Sequence, residues 1–466
     1  MPNQHSNEAP ARPDWARPLR EGSGSRYLQI ADLIETAMQG GSLTPGDRLP
    51  SQRQLASLFG VDLTTVTRGL NEAARRGLTV ARGSQGTFIA LPAYELSQAV
   101  DLSMNVPPPA PGIDVGEMLR RGIGQLTLRA DPALLMTYHL GGGTTTDRSA
   151  GARWLAPMLG SVAEDDVVAC PGAQTALAAL IMAGTEQGGA IAAEPLIYPG
   201  VRAAASQLGR RIVTIAVDGD GMRPDSLEAA CQTEGVRLVY LNPTLQNPTT
   251  HTMPEARRRD IARVAERQGI LIIEDDPYWL LTPDAPPPIA TLAPQQTAYV
   301  STLSKCLSPG LRTAYVVVKD PTVQNAMLTA LRAITLMASP LATALATQWI
   351  LDGAAKTLLD GIRTEADARQ QIARQWLAGF DANPALGIHI WHPLPSYWTS
   401  ADFTRTARSE DLRVTGADAF ADGTSVAGAI RISLGGVAER GQLSLALKKL
   451  SGLLARRPVR DTFQVI

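Results

Sequence analysis

Tyr299-Val300-Ser301-Thr302-Leu303-Ser304-Lys305-Cys306-Leu307-Ser308-Pro309-Gly310-Leu311-Arg312 reads as a short apolar strand opening into a polar loop. The loop holds one lysine, and an arginine follows seven positions on. Lys305 is the first lysine of the 466-residue chain, and of 43 basic residues only five are lysine (305, 319, 356, 448 and 449). Where arginine is the default cation, a lysine points to a need for a primary amine. An amine can form a Schiff base with a carbonyl, and a guanidinium cannot. A surface lysine without chemical work satisfies the same stretch, so the rest of the chain must decide.

Working outward, apolar strands alternate with helical patterns from about Leu119 onward, the mark of an α/β domain. Sites in such domains gather beyond the carboxyl ends of the strands. Val167-Val168-Ala169 leads into Pro171-Gly172-Ala173-Gln174. A glycine at a strand-to-helix turn exposes helix amides suited to a phosphate, although an ordinary turn reads the same way. Val236 to Leu241 ends in Asn242-Pro243-Thr244-Leu245-Gln246-Asn247-Pro248, where two prolines stiffen the loop that carries Asn247. Ile270 to Ile273 ends in Glu274-Asp275-Asp276-Pro277-Tyr278. Acids past a buried strand are costly unless a cation faces them, and a protonated pyridine nitrogen or any arginine would serve. Helix amides, an asparagine, an aspartate with a tyrosine, Lys305 and Arg312 together match what pyridoxal 5'-phosphate requires.

These stretches resemble fold-type I aminotransferases over roughly residues 100 to 455, most specifically Ser301 to Lys305 with Pro309 to Arg312. Gln246-Asn247-Pro248-Thr249 and Glu274 to Tyr278 support the match. The resemblance implies that Lys305 is the catalytic and cofactor-binding lysine and that Asp275 pairs with the pyridine nitrogen. By the same resemblance Asn247 and Tyr278 bond the ring hydroxyl oxygen, and Tyr198 stacks on the ring. Ala173, Gln174, Thr302, Ser304 and Arg312 would bind the phosphate, and Tyr138 would reach a phosphate across a dimer interface. Arg431, in Ile430-Arg431-Ile432-Ser433, would grip the carboxylate of an amino acid. Thr250 and Ala314 stand where many members carry glycine.

The first ninety residues read differently. Tyr27, Ile30, Ala31, Ile34, Ala37 and Met38 recur at helical spacing. Ser51-Gln52-Arg53-Gln54 is a capping box, Gly60 stops the helix it starts, and Asp62 can cap the next. Leu78 to Arg82 and Thr87 to Ala90 read as strands joined by Gly83-Ser84-Gln85-Gly86. Helix, helix-turn-helix and a glycine-tipped hairpin make a winged helix-turn-helix, whose second paired helix would enter the major groove. The run Leu49 to Ala56, then Gly60 to Val66, then Gly77-Leu78 and Arg82 to Phe88 resembles the GntR family of bacterial transcription regulators. Leu63 and Thr67 stand where members often carry arginine. Arg53, Thr64, Thr65, Arg68 and the wing residues Ser84, Gln85 and Gly86 are the DNA-binding candidates. Net charge is −1 overall, but six arginines against Asp62 and Glu72 between Arg48 and Arg82 leave a local excess of four.

No apolar run reaches the ~18–20 residues that span a bilayer. The polar Met1 to Ala11 lacks the apolar core of a signal peptide. Cys170, Cys231 and Cys306 have no metal-like spacing, which fits a reducing cytoplasm and no metal. The expected layout is a disordered lead-in over 1–21, a winged helix over 22–90 and a proline-rich linker over 91–118. An aminotransferase-like domain of fold type I follows over 119–466, its large part about 119–320 and its small part about 321–466. A GntR-type winged helix on an aminotransferase-like domain is the arrangement of the MocR subgroup. That resemblance implies a homodimeric, DNA-binding transcription regulator that uses pyridoxal 5'-phosphate at Lys305 to sense an amino acid or amine. A working aminotransferase with an appended DNA-binding module is the alternative, and plain DNA binding with a degenerate cofactor site is a third reading.

Overall fold

The computed structural model describes residues 13, 15–20, 24–44, 46–81, 83, 86–90, 100–129, 131–282, 284–377, 387–421 and 428–458. Two units divide the chain, Met1–Gln98 and Ala99–Ile466.

In the first unit the local signals are realised as backbone hydrogen bonds. Ser51 caps the helix Gln52–Phe59 by accepting from the Gln54 amide, and Gln54 Oε1 accepts from the Ser51 amide at 2.9 Å. Gly60 ends that helix in the left-handed conformation. Asp62 opens the helix Leu63–Arg75 by accepting from the Thr65 amide at 2.8 Å. The helix Arg26–Gln39 crosses it so closely that a Cβ on Gly69 would fall 2.9 Å from that of Ile30. Thr79–Ala81 and Thr87–Ile89 form the antiparallel hairpin. Ile30, Ile34, Leu55, Val66, Leu70 and Ile89 fill the core, each burial worth about 1.5–3 kcal/mol.

The disordered lead-in expected over 1–21 lies largely outside the described residues, and its described end is ordered. Trp15 packs edge-on to Phe59 at 6.2 Å, and Arg20 and Gln29 exchange two hydrogen bonds. One indole is enough apolar area to pin an otherwise polar stretch.

In the second unit a seven-stranded sheet runs in the order Val167–Cys170, Ala314–Val318, Thr297–Thr302, Leu271–Asp275, Leu238–Leu241, Ala190–Ala193, Arg211–Thr214. Ala314–Val318 is antiparallel to both its neighbours, and the strands beyond Thr297–Thr302 pair in parallel. Helices cover both faces, and the strands between them are largely apolar. A smaller antiparallel sheet of His389–Pro393, Ala429–Ser433 and Thr415–Gly416 packs with Leu443, Leu447 and Leu450 of the helix Arg440–Ala455.

Two sequence expectations change here. The linker expected over 91–118 lies outside the described residues only as far as 99. From Val100 on it belongs to the second unit: Val100–Asp101 pairs in parallel with Leu412–Arg413, and Leu102 and Asn105 are buried. The prolines that suggest a connector straighten a segment whose apolar and amide side chains are claimed by the fold. Glu274 and Asp275 also lie within the strand Leu271–Asp275, not past its end.

Fully buried Arg258 compensates part of that acidity. It donates to the carbonyls of Met253 and Pro243 and to Thr244 Oγ1, and stands 3.8 Å from Glu274 Oε1. Glu274 accepts from the Ile289 and Ala290 amides at 2.8 Å each. Arg258 therefore ties the loop that carries Asn247 to the strand that carries Asp275. Replacing Arg258 by alanine leaves Glu274 uncompensated, and a loss of about 3–5 kcal/mol in urea unfolding is expected.

Candidate functional site

The carboxyl ends of the strands converge as their sequence suggested. Asp275 ends its strand fully enclosed, with Oδ2 accepting from the Tyr240 hydroxyl at 2.8 Å and Oδ1 without a partner. Burial pushes its pKa up to about 7, against the opposing hydrogen bond from Tyr240. Arginine answers the acidity at Glu274 but does not hydrogen-bond Asp275, whose Oδ1 is left open to a donor. Asn242 donates to the Asp275 carbonyl and accepts from the Asn247 amide, which fixes the Asn247 loop over the carboxylate.

Lys305 lies in the short helix Leu303–Cys306, directly after the strand Thr297–Thr302. Its Nζ donates to the Asn105 carbonyl at 2.5 Å. Burial first, and then the Arg431 guanidinium, lowers its pKa to about 8, while Asp275 acts the other way. Arg431 is buried, donates to Asn247 Oδ1 at 2.8 Å and to the Ser103 carbonyl at 2.5 Å, and lies over the Phe420 ring with Nε unpartnered. Tyr278 is buried, accepts from Asn105 Nδ2 at 2.8 Å and packs against the His389 ring. Burial raises the pKa of half-buried Tyr198, with Asp275 acting the same way and Arg312 and Arg431 opposing.

At the far end, Gly172 caps the helix Ala173–Gly184 at φ 91°, and a Cβ there would fall 2.7 Å from Arg312 Nη2. Arg312 thus lies against the amino end of a helix, two positive poles together. Thr302 Oγ1, which accepts from the Ser304 amide, and the Ser304 hydroxyl lie 3.0 Å apart, flanking Leu303, whose amide donates to the carbonyl of Thr313 next to Arg312. Gln174 donates to the Gly200 carbonyl, leaving its buried Oε1 unpartnered. Such a group of amides, hydroxyls and a guanidinium suits a phosphate dianion.

Tyr138 stands apart: it is 70 % exposed, and no hydrogen bond joins it to the others within one chain. Sequence reading missed Asn105, Ser103, Tyr240, His389 and Phe420. Tyr240 carried a usable signal, since it precedes the Asn242 turn by two residues on the strand beside that of Asp275. Asn105 and Ser103 carried none, because nothing local tells a proline-rich segment where it will lie.

On the first unit Arg53 and Thr64 are exposed, as is Arg68, whose guanidinium lies 4.4 Å from the Tyr27 ring centroid. Thr65 is engaged by Asp62 through both its amide and its hydroxyl, so it serves as part of the cap. Ser84 and Gln85 lie outside the described residues. Gly86 sits at φ 109°, and a Cβ there would fall 3.2 Å from Arg48 Nε, which puts a cation at the wing. The local excess of four positive charges is smaller in effect. Arg75 binds Glu72, and Arg76 binds Asp32, Glu35 and Glu72.

Residues 101–438 match the family Aminotransferase class I and II, and residues 26–89 match Bacterial regulatory proteins, gntR family. The uncharacterized HTH-type transcriptional regulator YdeF of Bacillus subtilis is 29% identical over 435 residues, covering 90% of this chain and 92% of that one. The HTH-type pyridoxine biosynthesis transcriptional regulator PdxR of Corynebacterium glutamicum is 30% identical over 319 residues, 66% of this chain and 68% of that one. The crystal structure of Pyrococcus horikoshii kynurenine aminotransferase, in complex with PMP, superposes with a TM-score of 0.69 at 23% identity, over 77% of this chain and 91% of that one. Fold and matches define a class I and II aminotransferase domain joined to a GntR-type DNA-binding domain, and the chain belongs to that aminotransferase family. The combination makes it a MocR-type transcription regulator, with pyridoxal 5'-phosphate as its cofactor and DNA as the partner of its first unit. No helix among the described residues is long and apolar enough to cross a membrane.

The residues present fit the cofactor. The open Asp275 Oδ1 suits a protonated ring nitrogen, and the Arg312 cradle suits the phosphate.

Two tests follow from the titrations. Covalent attachment of the aldehyde at Lys305, trapped by borohydride and read by mass, should speed up with pH and level off above about pH 8, whereas an ordinary lysine keeps gaining toward 10.5. Asp275 holds its proton up to about pH 7 when folded but only to the usual carboxylate range when unfolded. Its burial therefore costs nothing at low pH and costs progressively more up to about pH 7. Asp275→Asn should accordingly gain a few kcal/mol on cofactor-free wild type between pH 5 and pH 8 in urea unfolding.

Proposed function

We propose that this regulator reads the level of an amino acid or another amine through the second unit and alters transcription through the first. The bound cofactor supplies an aldehyde carbon that amines attack and a ring that withdraws electrons. The remaining work falls to the chain. Lys305 offers an amine that loses its proton near pH 8, well below an ordinary lysine. Asp275 holds a proton on the ring nitrogen, and Asn247 and Tyr278 bond the ring hydroxyl oxygen. Tyr198 covers one ring face and shields it from water. Ala173, Gln174, Thr302, Ser304 and Arg312 grip the phosphate, and Arg431 orients the effector by its carboxylate.

The observation that carries this reading is the enclosed Asp275 with one unanswered oxygen, in a pocket where Lys305 has a lowered pKa. The DNA side rests on Arg53, Thr64 and Arg68, exposed on the helix-turn-helix, and on Gly86 of the wing, with the candidates Ser84 and Gln85 outside the described residues.

The reading includes a cytoplasmic homodimer. Leu128, Met136 and Tyr138 are each 70% or more exposed, apolar and aromatic area that a second copy would cover. Tyr138 would then reach the phosphate bound in the partner subunit. Regulation requires that the effector bind two arrangements of the protein with different affinity.

The test is binding to the DNA upstream of its own gene, with and without pyridoxal 5'-phosphate and a panel of amines, for wild type and Lys305→Ala. One amine should change wild-type affinity by about 5–150-fold, the usual range of such coupling, and leave Lys305→Ala unmoved. Equal affinity under all conditions sinks the sensing role. The converged site also suits turnover, so sustained keto-acid release at ordinary enzyme rates would favour an active aminotransferase instead.

A further inference from the structure

Lys305 and Arg431 both donate to main-chain carbonyls of one short segment. Lys305 Nζ holds the Asn105 carbonyl, and Arg431 Nη2 holds that of Ser103, each at 2.5 Å. The segment enters the site from a firm anchor. Val100–Asp101 pairs with Leu412–Arg413, the Leu102 amide donates to the Arg413 carbonyl at 2.8 Å, and the Leu102 carbonyl accepts from the Ser433 amide at 2.7 Å. Two glycines press closely on it at either end: a Cβ on Gly436 would fall 2.5 Å from the Asp101 carbonyl oxygen in the anchor, and one on Gly435 would fall 1.8 Å from that of Val106 beyond it. The Asn105 side chain then donates to the Tyr278 hydroxyl and faces His389 Nδ1 at 3.1 Å, while its own Oδ1 is buried without a partner.

We propose that Ser103–Asn105 is an internal stand-in for ligand, whose two carbonyls occupy the amine and the guanidinium that cofactor and effector require, so that binding releases this strap. The proposal rests on the reading of Lys305 and Arg431 given above. The chemistry is a one-for-one exchange. A lysine nitrogen bonded to the aldehyde carbon no longer presents an ammonium to the Asn105 carbonyl. A carboxylate that takes Arg431 through Nη1 and Nη2 competes with Asn247 Oδ1 and the Ser103 carbonyl for those two nitrogens. Each carbonyl then loses its cationic donor, and Ser103 keeps only the weaker 3.2 Å bond from Thr415 Oγ1. Asn105 is thereby a positioning residue, holding the Tyr278 hydroxyl by its side chain and the free lysine by its backbone. In sequence the strap follows directly on the anchor Val100–Leu102, with which the second unit's described residues begin.

Amide hydrogen exchange of the full-length protein, read by mass on peptides covering 100–107, tests the release. Exchange should rise about tenfold on loading with pyridoxal 5'-phosphate and further with an amino acid that binds. Lys305→Met and Arg431→Gln should each raise it without any ligand, and Lys305→Met should abolish the response to the cofactor. The peptide covering 297–302 in the central sheet serves as the folding control and should not change. Strap exchange that is unchanged or slowed while mass confirms cofactor on Lys305 overturns the proposal and leaves the cofactor reading intact. Failure of the cofactor to attach would instead remove the cofactor reading. The ligand-free comparison of Lys305→Met with wild type would still decide the strap, and equal exchange there would overturn it.

Discussion

A carboxylate at the end of a fully buried strand, with one oxygen unanswered, is the constraint on which the second unit depends. Its neighbours are arranged around that cost. Arg258 takes up Glu274 and, with it, the loop between Pro243 and Met253. Tyr240 and Asn242 fix Asp275 from the adjacent strand without neutralising it. The fold thus compensates one acid with an arginine and keeps the next one open, which is how a structural ion pair and a cofactor site come to occupy consecutive residues.

The same enclosure acts in the opposite sense on Lys305. Burial and the nearby Arg431 disfavour its charged form, while burial raises the pKa of Asp275. Burial thus draws the two groups toward each other, the amine down to about 8 and the carboxyl up to about 7. Asn247 joins the two halves of the pocket, because its amide is held by Asn242 of the large part and its side chain by Arg431 of the small part.

Much of the architecture was legible because it is written in local chemistry. The Ser51 box, the Gly60 stop and the Asp62 cap act over three or four residues, and all three are realised. Where the reading failed, the deciding partner was distant. Trp15 orders a polar lead-in by meeting Phe59, and Leu102 and Asn105 draw a proline-rich stretch into the second unit. Arg75 and Arg76 look like part of a phosphate-binding surface until Glu72, Asp32 and Glu35 are seen to bind them. A count of charges along the chain cannot tell which are already paired.

The sequence by itself determined the winged helix and the positions of the polar residues at the ends of apolar strands, because caps, turns and strand ends are set by neighbours along the chain. It also set Lys305 apart, as one of very few lysines among many arginines. Only the tertiary structure decided that Asp275 keeps an open oxygen, that Tyr240 and Asn105 belong to the pocket, and that two main-chain carbonyls hold Lys305 and Arg431. Asn105 meets Lys305 across 200 residues and Arg431 meets Ser103 across 328. No periodicity or spacing encodes an encounter between segments so far apart, since packing of the whole unit brings them together.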